Sequence, residues 1–312
     1  MKRLSSMRCV ILGGGGFIGT NLCRALAGRV ETLHAFGRRQ SFPEALKDID
    51  WIPGDFKDPS ALAAAVAGCD VVFHLVSTTT PESANIDKIS DINSNVVSCL
   101  HLLEACRVQR VRRVVFVSSG GTIYGIPNRI PTTENSPTNP ITAYGISKLA
   151  IEKYLALYEH LYGLEYRVLR VSNPYGPFQT AIRNQGVIAA FLGRALAGKP
   201  LEIWGDGSIT RDYIYIDDVV DALQLAAVHE GPVRVLNIGS GKGYNLRQII
   251  NAIEKVLGLT VAIRQYDGRS VDIPCSILDV SSAAAELGWN SRISLTDGLE
   301  KTAAWMRDTI RL

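Results

Sequence analysis

Cys9-Val10-Ile11-Leu12-Gly13-Gly14-Gly15-Gly16-Phe17-Ile18-Gly19 is the stretch on which the fold turns. Arg8–Leu12 is a compact apolar run with strand character, and residues 17–27 have helical spacing. Between them the glycines fall as G-x-x-G-x-x-G, and each has a physical task. Gly13 lets the chain turn sharply, Gly16 lets the backbone approach a pyrophosphate, and Gly19 allows the helix to pack closely on the strand. The helix start at Phe17 and Ile18 then offers free N–H groups and the positive end of a dipole to phosphates. A dinucleotide cofactor is the expected ligand.

The same alternation continues outward. Strand-like runs at 31–36, 70–76, 113–118 and 166–171 are separated by helical patterns at 92–106 and Ala143–Tyr162. Asp58-Pro59-Ser60-Ala61 starts another helix, with Asp as N-cap and Pro at the first helical position. Near-continuous apolar strands between helices imply a parallel sheet covered on both faces. After residue 172 the pattern changes, with Pro174, Gly176 and Pro177 as punctuation. Helices follow at 186–197 and Ile216–Val228, strands at Leu201–Trp204 and 233–238, and a Gly205-Asp206-Gly207 turn. The last 70 or so residues carry two or three helices and one strand. The fold expected is α/β: a doubly wound parallel sheet of the Rossmann type, with a smaller C-terminal α/β substrate-binding domain. Residues 1–172 form the first domain and 173–312 the second, with segments near 210–240 able to return to the first.

Composition limits the alternatives. The chain has 312 residues, Lys+Arg 33 against Asp+Glu 30, and 46% hydrophobic residues, which suits a well-cored globular protein. A net charge of +3 leaves no basic footprint for nucleic acid, and the basic run at 107–113 reads as a solvated helix end. Apolar stretches such as 114–117 and 187–192 fall far short of the roughly 18 residues a spanning helix needs, so no membrane association is expected. No apolar leader region follows the basic Met1-Lys2-Arg3, which makes a cytoplasmic location the expectation. Six cysteines without a CxxC pair read as reduced core residues. Five histidines without ligand spacing make a zinc site unexpected.

The end of the second strand bears on the cofactor. An acidic residue there would bind the ribose hydroxyls of NAD, but the chain reads Ala35-Phe36-Gly37-Arg38-Arg39. Two guanidiniums beside a small residue suit the 2′-phosphate of NADP, or are an ordinary solvated pair. Asp55 and Phe56, after the next strand, could border the adenine. Leu75, Val76 and Ser77 lie at the carboxyl end of a strand, where ligands meet such sheets.

Tyr144-Gly145-Ile146-Ser147-Lys148 puts a phenol and an ammonium four residues apart on one helix face. With 11 Tyr and 10 Lys in the chain, about 0.35 such pairs arise by chance, so the spacing alone decides little. Its position decides more, at the start of a long helix just after a strand ending Ser118-Ser119. A free phenol needs roughly 4 kcal/mol to act as a base near pH 7. An ammonium about 4 Å away at an effective dielectric of 20 supplies about that much. Tyr144 would then take a proton from a sugar hydroxyl while hydride passes to a nicotinamide ring, with Lys148 also able to hold the ribose.

At this point the chain resembles the extended short-chain dehydrogenase/reductase family, in its nucleotide-sugar epimerase/dehydratase branch. The resemblance runs through GGGGFIG at 13–19, GDF at 54–56, HLV at 74–76, SSGGTIYG at 118–125, PTTENSPTNP at 131–140 and YGISK at 144–148. It continues through LRVSNPYGP at 169–177, WGDGSITRDYIYIDD at 204–218, NIGSG at 237–241 and RSVDIP at 269–274. The resemblance implies that Asn173 holds a nucleotide diphosphate sugar near its diphosphate and that Trp204 meets the nucleobase. It implies that Arg211 and Arg269 grip the diphosphate and that Val171 lines the cofactor site. Core packing is the competing reading for Trp204, and ion pairs with Asp212 and Asp272 for the arginines. Two departures stand out. The position of the family's catalytic hydroxyl is Gly120, so Thr122, or failing it Ser119, must substitute. The Gly37-Arg38-Arg39 end favours an exchanging NADPH over a resident NAD.

The resemblance implies a 4-epimerase of the UDP-glucose/UDP-galactose type, acting through a transient 4-keto sugar with NAD or NADP. The alternative is an NADPH-dependent reductase of nucleotide 4-keto-6-deoxysugars. A catalytically silent NADP sensor or scaffold is a third reading, and the Tyr144/Lys148 pair speaks against it. The helices at 92–106 and Ala143–Tyr162 are candidates for pairing across the two-fold axis of a homodimer.

Overall fold

The computed structural model describes residues 4–179, 186–267 and 273–309. In its first part β1 (Arg8–Leu12), α1 (Phe17–Leu26), β2 (Thr32–Gly37), β3 (Asp50–Pro53), α2 (Pro59–Val66) and β4 (Val71–His74) follow in order. Two short helices, α3 (Pro81–Ile86) and α4 (Lys88–Asp91), lead through a π-wound stretch, Ile92–Val97, into α5 (Ser98–Val108). Then come β5 (Arg113–Ser119), α6 (Ala143–Tyr162) and β6 (Glu165–Val171). The second part holds β7 (Asn173–Tyr175), α7 (Val187–Leu196), β8 (Leu201–Trp204), β9 (Thr210–Tyr215), α8 (Ile216–Val228) and β10 (Val235–Ile238). It closes with β11 (Gly243–Asn245), α9 (Leu246–Leu257), β12 (Ile263–Tyr266), β13 (Cys275–Ser276), α10 (Ser281–Leu287) and α11 (Leu295–Thr309).

Seven strands form one sheet in the order β3-β2-β1-β4-β5-β6-β10, every neighbouring pair parallel. The order reverses between β1 and β4, which creates a crevice at the carboxyl edge of the sheet. Side chains alternate across it with period two. Cys9 and Ile11 enter one core with α1, α7 and α8, while Val10 and Leu12 enter another with α2, α5 and α6. Both faces are thereby covered, as the doubly wound reading requires. The six cysteines are free, and all but Cys275 are buried. Among the described residues no helix is long and apolar enough to cross a membrane.

Two expectations are corrected. The segment 92–106 is not a uniform helix. Ser94 Oγ donates to the Ser90 carbonyl (2.6 Å), Asn95 Nδ2 to that of Asp91 (3.1 Å) and Ser98 Oγ to that of Asn93 (3.1 Å). These side-chain donors compete with the helical ladder and widen it into a π-turn. The C-terminal region also holds more strand than expected. β9 pairs with β7, β11 and β13, and β12 pairs with β8. Runs of two to four residues leave no periodicity to read in the sequence.

α8 binds the C-terminal region to the sheet. The carboxylate of Asp218 accepts Ser291 Oγ–H (2.9 Å) and the N–H groups of Arg292 and Ile293 (3.1 Å each). The indole of Trp289, 1% exposed, donates to the Asp218 carbonyl at 2.9 Å. Trp289→Ala should therefore cost about 3–5 kcal/mol, read as a lower midpoint in urea unfolding. A loss under about 1 kcal/mol would show that the site collapses without cost.

Candidate active site

The glycine bend is tightly built. Gly13 has φ +85°, and a Cβ there would lie 3.3 Å from the backbone of Leu75 and Val76. Gly19 packs beneath it so closely that a Cβ would come 2.1 Å from the Gly13 carbonyl oxygen. Gly14 and Gly15 are constrained as well, against the Ala35 side chain and the Arg39 carbonyl. Gly16 is the N-cap of α1 and makes no side-chain capping bond, so the N–H groups at Phe17 and Ile18 face the crevice uncapped. These features fit the pyrophosphate of a dinucleotide: a backbone cradle that side chains would fill, at the positive end of a helix.

Arg38 and Arg39 follow β2 and are exposed. Asp55 caps its own turn, accepting Lys57 N–H at 3.0 Å. Phe56 is 5% exposed and its ring stacks on His74, centroids 4.9 Å apart. Its ring therefore belongs to the core, which the sequence did not reveal. Leu75, Val76 and Ser77 leave the end of β4 beside Gly13, and Val171 ends β6 beside Ser119.

Tyr144 and Lys148 stand on the first turns of α6. Thr142 Oγ1 caps that helix by accepting the Gly145 N–H. Lys148 is 6% exposed, and its Nζ donates to the Val117 carbonyl at 3.0 Å. The ammonium lies over two rings, 4.7 Å from the Phe116 centroid and 5.7 Å from that of Tyr144. Burial lowers the Lys148 pKa to about 8, opposed by Cys99, Asp91 and Glu152. Burial likewise raises the Tyr144 phenol above its usual value, a hydrogen bond to Ser77 pulls it down, and Asp91 pushes it up. The ammonium thus lies beside the Tyr144 ring, as the four-residue spacing on one helix face implies. Lys148 is satisfied by the Val117 carbonyl, and the phenol turns to Ser77.

The substitute for the hydroxyl missing at Gly120 can be weighed from packing. A Cβ at Gly120 would meet a Leu278 methyl at 2.5 Å and the Arg170 carbonyl at 3.0 Å, so a serine there requires the Leu278 side chain to shift. Thr122 lies against Gly145, next to Tyr144, and its Oγ1 is buried with no hydrogen-bond partner. Ser119 sits at the end of β5, its carbonyl accepting the Ile123 N–H at 3.2 Å. A buried hydroxyl without a partner, on a residue whose backbone meets α6 at Gly145, favours Thr122 as the candidate.

Of the residues assigned to a nucleotide sugar, Asn173 donates through Nδ2 to the Asp212 carbonyl at 2.9 Å. Trp204 is 36% exposed and stacks on Tyr266, centroids 5.4 Å apart, an open aromatic surface and not a core residue. Arg211 donates to the Ile273 carbonyl at 2.5 Å. The Asp212 carboxylate is held by Ser240, Gly241 and Leu278. Arg269 lies outside the described residues. Asp91, Asn95 and Ser147, which line a cavity of about 10 Å³ with Ser77, Tyr144 and Lys148, were not singled out by sequence reasoning. Ser147 between Tyr144 and Lys148 was the available signal.

Comparison with known proteins agrees with this geometry. The model of the NAD dependent epimerase/dehydratase family matches residues 9–239. The UDP-glucose 4-epimerase of Mycolicibacterium smegmatis is 34% identical over 317 residues, covering 97% of this chain and 99% of that protein. The dTDP-4-dehydro-6-deoxyglucose reductase of Escherichia coli is 33% identical, covering 94% and 95%. The crystal structure of UDP-glucose 4-epimerase from Thermotoga maritima with UDP-glucose superposes with a TM-score of 0.94 at 33% identity, covering 98% and 100%. With its glycine bend, its Tyr144/Lys148 pair and a match over most of its length, the chain belongs to the NAD-dependent epimerase/dehydratase family of extended short-chain dehydrogenases/reductases.

Proposed function

We propose that the protein is a nucleotide-sugar 4-epimerase of the UDP-glucose/UDP-galactose type. The observation that supports the reading is that Tyr144 and Lys148 line one small cavity with Ser77, which directly follows the Leu75 and Val76 backbone that Gly13 rests on. In this reading residues 1–172 hold the cofactor and 173–312 the sugar nucleotide, with segments near 210–240 returning to the first part. Bound NAD supplies reversible hydride acceptance. Tyr144 takes the proton of the sugar 4-hydroxyl and returns it to the 4-oxygen once the 4-keto sugar has turned and C4 has regained hydride on its opposite face. Thr122 bonds the same sugar oxygen and keeps it in line with the phenol. Lys148 provides the positive charge that favours the phenolate and bonds the ribose. Arg211 and Arg269 hold the diphosphate, Asn173 stands beside it, and Trp204 meets the base. The site is cytoplasmic in this reading.

The assay is conversion of UDP-galactose to UDP-glucose without added cofactor. Tyr144→Phe should lower kcat by about 10²–10⁴ while the protein stays folded by circular dichroism; full activity in that variant would reject the mechanism. The pH profile has a definite sign. Lys148 is charged below its pKa of about 8 and neutral above it, so activity should decline on the alkaline side of about pH 8. Lys148→Met should remove that limb.

The reductase reading is favoured by one feature, the exposed Arg38-Arg39 pair where an acidic residue would select NAD. Turnover only with stoichiometric NADPH, together with weaker NADPH binding in Arg38→Ala, would select it over the epimerase.

The proposed assembly is a homodimer through α5 and α6. Val108 at the end of α5 and Leu157 and Leu161 on α6 are 61%, 43% and 53% exposed and are the apolar groups such an interface would cover. Sedimentation should give a dimer that becomes monomeric in Leu157→Glu/Leu161→Glu.

A further inference from the structure

Three elements converge on one fully buried carboxylate beneath the catalytic pair. Asp91, at the end of α4, is 0% exposed. Its Oδ1 accepts the Thr79 hydroxyl, from the loop after β4, and Asn95 Nδ2–H at 2.9 Å, from the π-turn. Its Oδ2 accepts the Ser147 hydroxyl at 2.5 Å, from the catalytic helix. The loop is fastened further, since Thr78 N–H donates to Asn95 Oδ1 (3.0 Å) and Thr78 Oγ1 pairs with Ser94 Oγ (2.7 Å). Ser77, which contacts the Tyr144 phenol, belongs to this loop and donates to the Thr79 carbonyl at 3.0 Å. Among the described residues no Lys, Arg or His touches Asp91, although a buried carboxylate without a cation is costly.

The surroundings of Lys148 show what the charge faces. His74, from β4, is held neutral by burial, its pKa lowered to about 3. Cys99, from α5, is a neutral thiol, pushed up to about 12 by burial. Glu152, one turn along α6, is already paired with Arg170 at 2.7 Å. Tyr144 and Phe116 present rings. Asp91 and Lys148 line the same small cavity, and of the anions near Lys148 Asp91 alone among the described residues has no cation of its own.

We infer that Asp91 is a positioning residue of the reaction, the counter-charge of Lys148 and the tether that holds the 77–80 loop, and so Ser77 and the phenol, against the catalytic helix. The inference rests on the roles proposed above for Tyr144 and Lys148, and its test separates the two. Lysine-labelled protein is titrated by carbon NMR, with Lys148 assigned by Lys148→Arg. In D91N the Lys148 midpoint should fall by about one pH unit, a tenfold weaker hold on its proton. In turnover, kcat should fall about 10- to 100-fold with KM within about threefold, and the alkaline limb should move to lower pH by the same amount. Ser147→Ala keeps the charge and removes one tether; kcat should fall while the Lys148 midpoint stays. An unchanged midpoint in folded D91N overturns the counter-charge role. Should D91N not fold, unchanged kcat in both Ser147→Ala and Thr79→Val overturns the tether. If the wild-type protein turns over no nucleotide sugar, the epimerase reading falls, and the NMR titration still decides Asp91.

Discussion

The close approach of Gly19 to the Gly13 carbonyl is the constraint on which the site depends. With 2.1 Å between that oxygen and any added Cβ, only glycine lets α1 begin directly under the end of β1. The start of α1 is thereby aimed into the crevice where the strand order reverses. Gly13 in turn rests on the backbone of Leu75 and Val76, and the next residue, Ser77, meets the phenol of Tyr144. A few contacts thus connect the bend that suits a pyrophosphate to the group that suits a sugar hydroxyl. Position along this chain of contacts, more than residue type, sets Tyr144 apart from the other tyrosines and underlies the role proposed for it.

The electrostatics of the site follow from burial. An ammonium enclosed by Phe116, Tyr144 and His74 keeps its proton less firmly than one in water, and a second cation would loosen it further. His74 avoids that conflict because its ring is stacked between Phe56 and Phe116 and stays neutral. Glu152 is occupied by Arg170, which also bonds the Tyr124 hydroxyl and the Glu134 carbonyl. Behind α6, Glu152 and Arg170 therefore balance each other and leave Lys148 to the groups on its other side.

Much of the first half was legible because its signals are local. The bounds of α6 follow from Thr142, whose hydroxyl caps the first turn, and Gly163, whose φ of 71° ends the last. The glycine bend was legible for the same reason, although the packing of Gly14 and Gly15 against the end of β2 was not. β9 escaped notice because Thr210-Arg211-Asp212-Tyr213-Ile214-Tyr215 mixes charge with apolar residues. It becomes a strand only through partners at 173–175, 243–245 and 275–276. Asp91 escaped for a related reason. A carboxylate in the polar run Asp91-Ile92-Asn93-Ser94-Asn95 reads as solvated, and its burial comes from a loop and a helix distant in sequence. Its role needed the tertiary structure.

The placement of β10 has a consequence for how the protein is made. This strand pairs with β6, so the outer edge of the main sheet is supplied by residues 235–238, some sixty positions after β6 ends. Until that segment leaves the ribosome, Val168 to Val171 present an unpaired row of backbone donors and acceptors, a surface other strands can join. A fragment ending near residue 172 would carry that open edge permanently and tend to aggregate. Genetic division of the molecule into two independent halves is for this reason a poor strategy, whereas a cut in an exposed loop that keeps β6 and β10 on the same piece preserves the sheet.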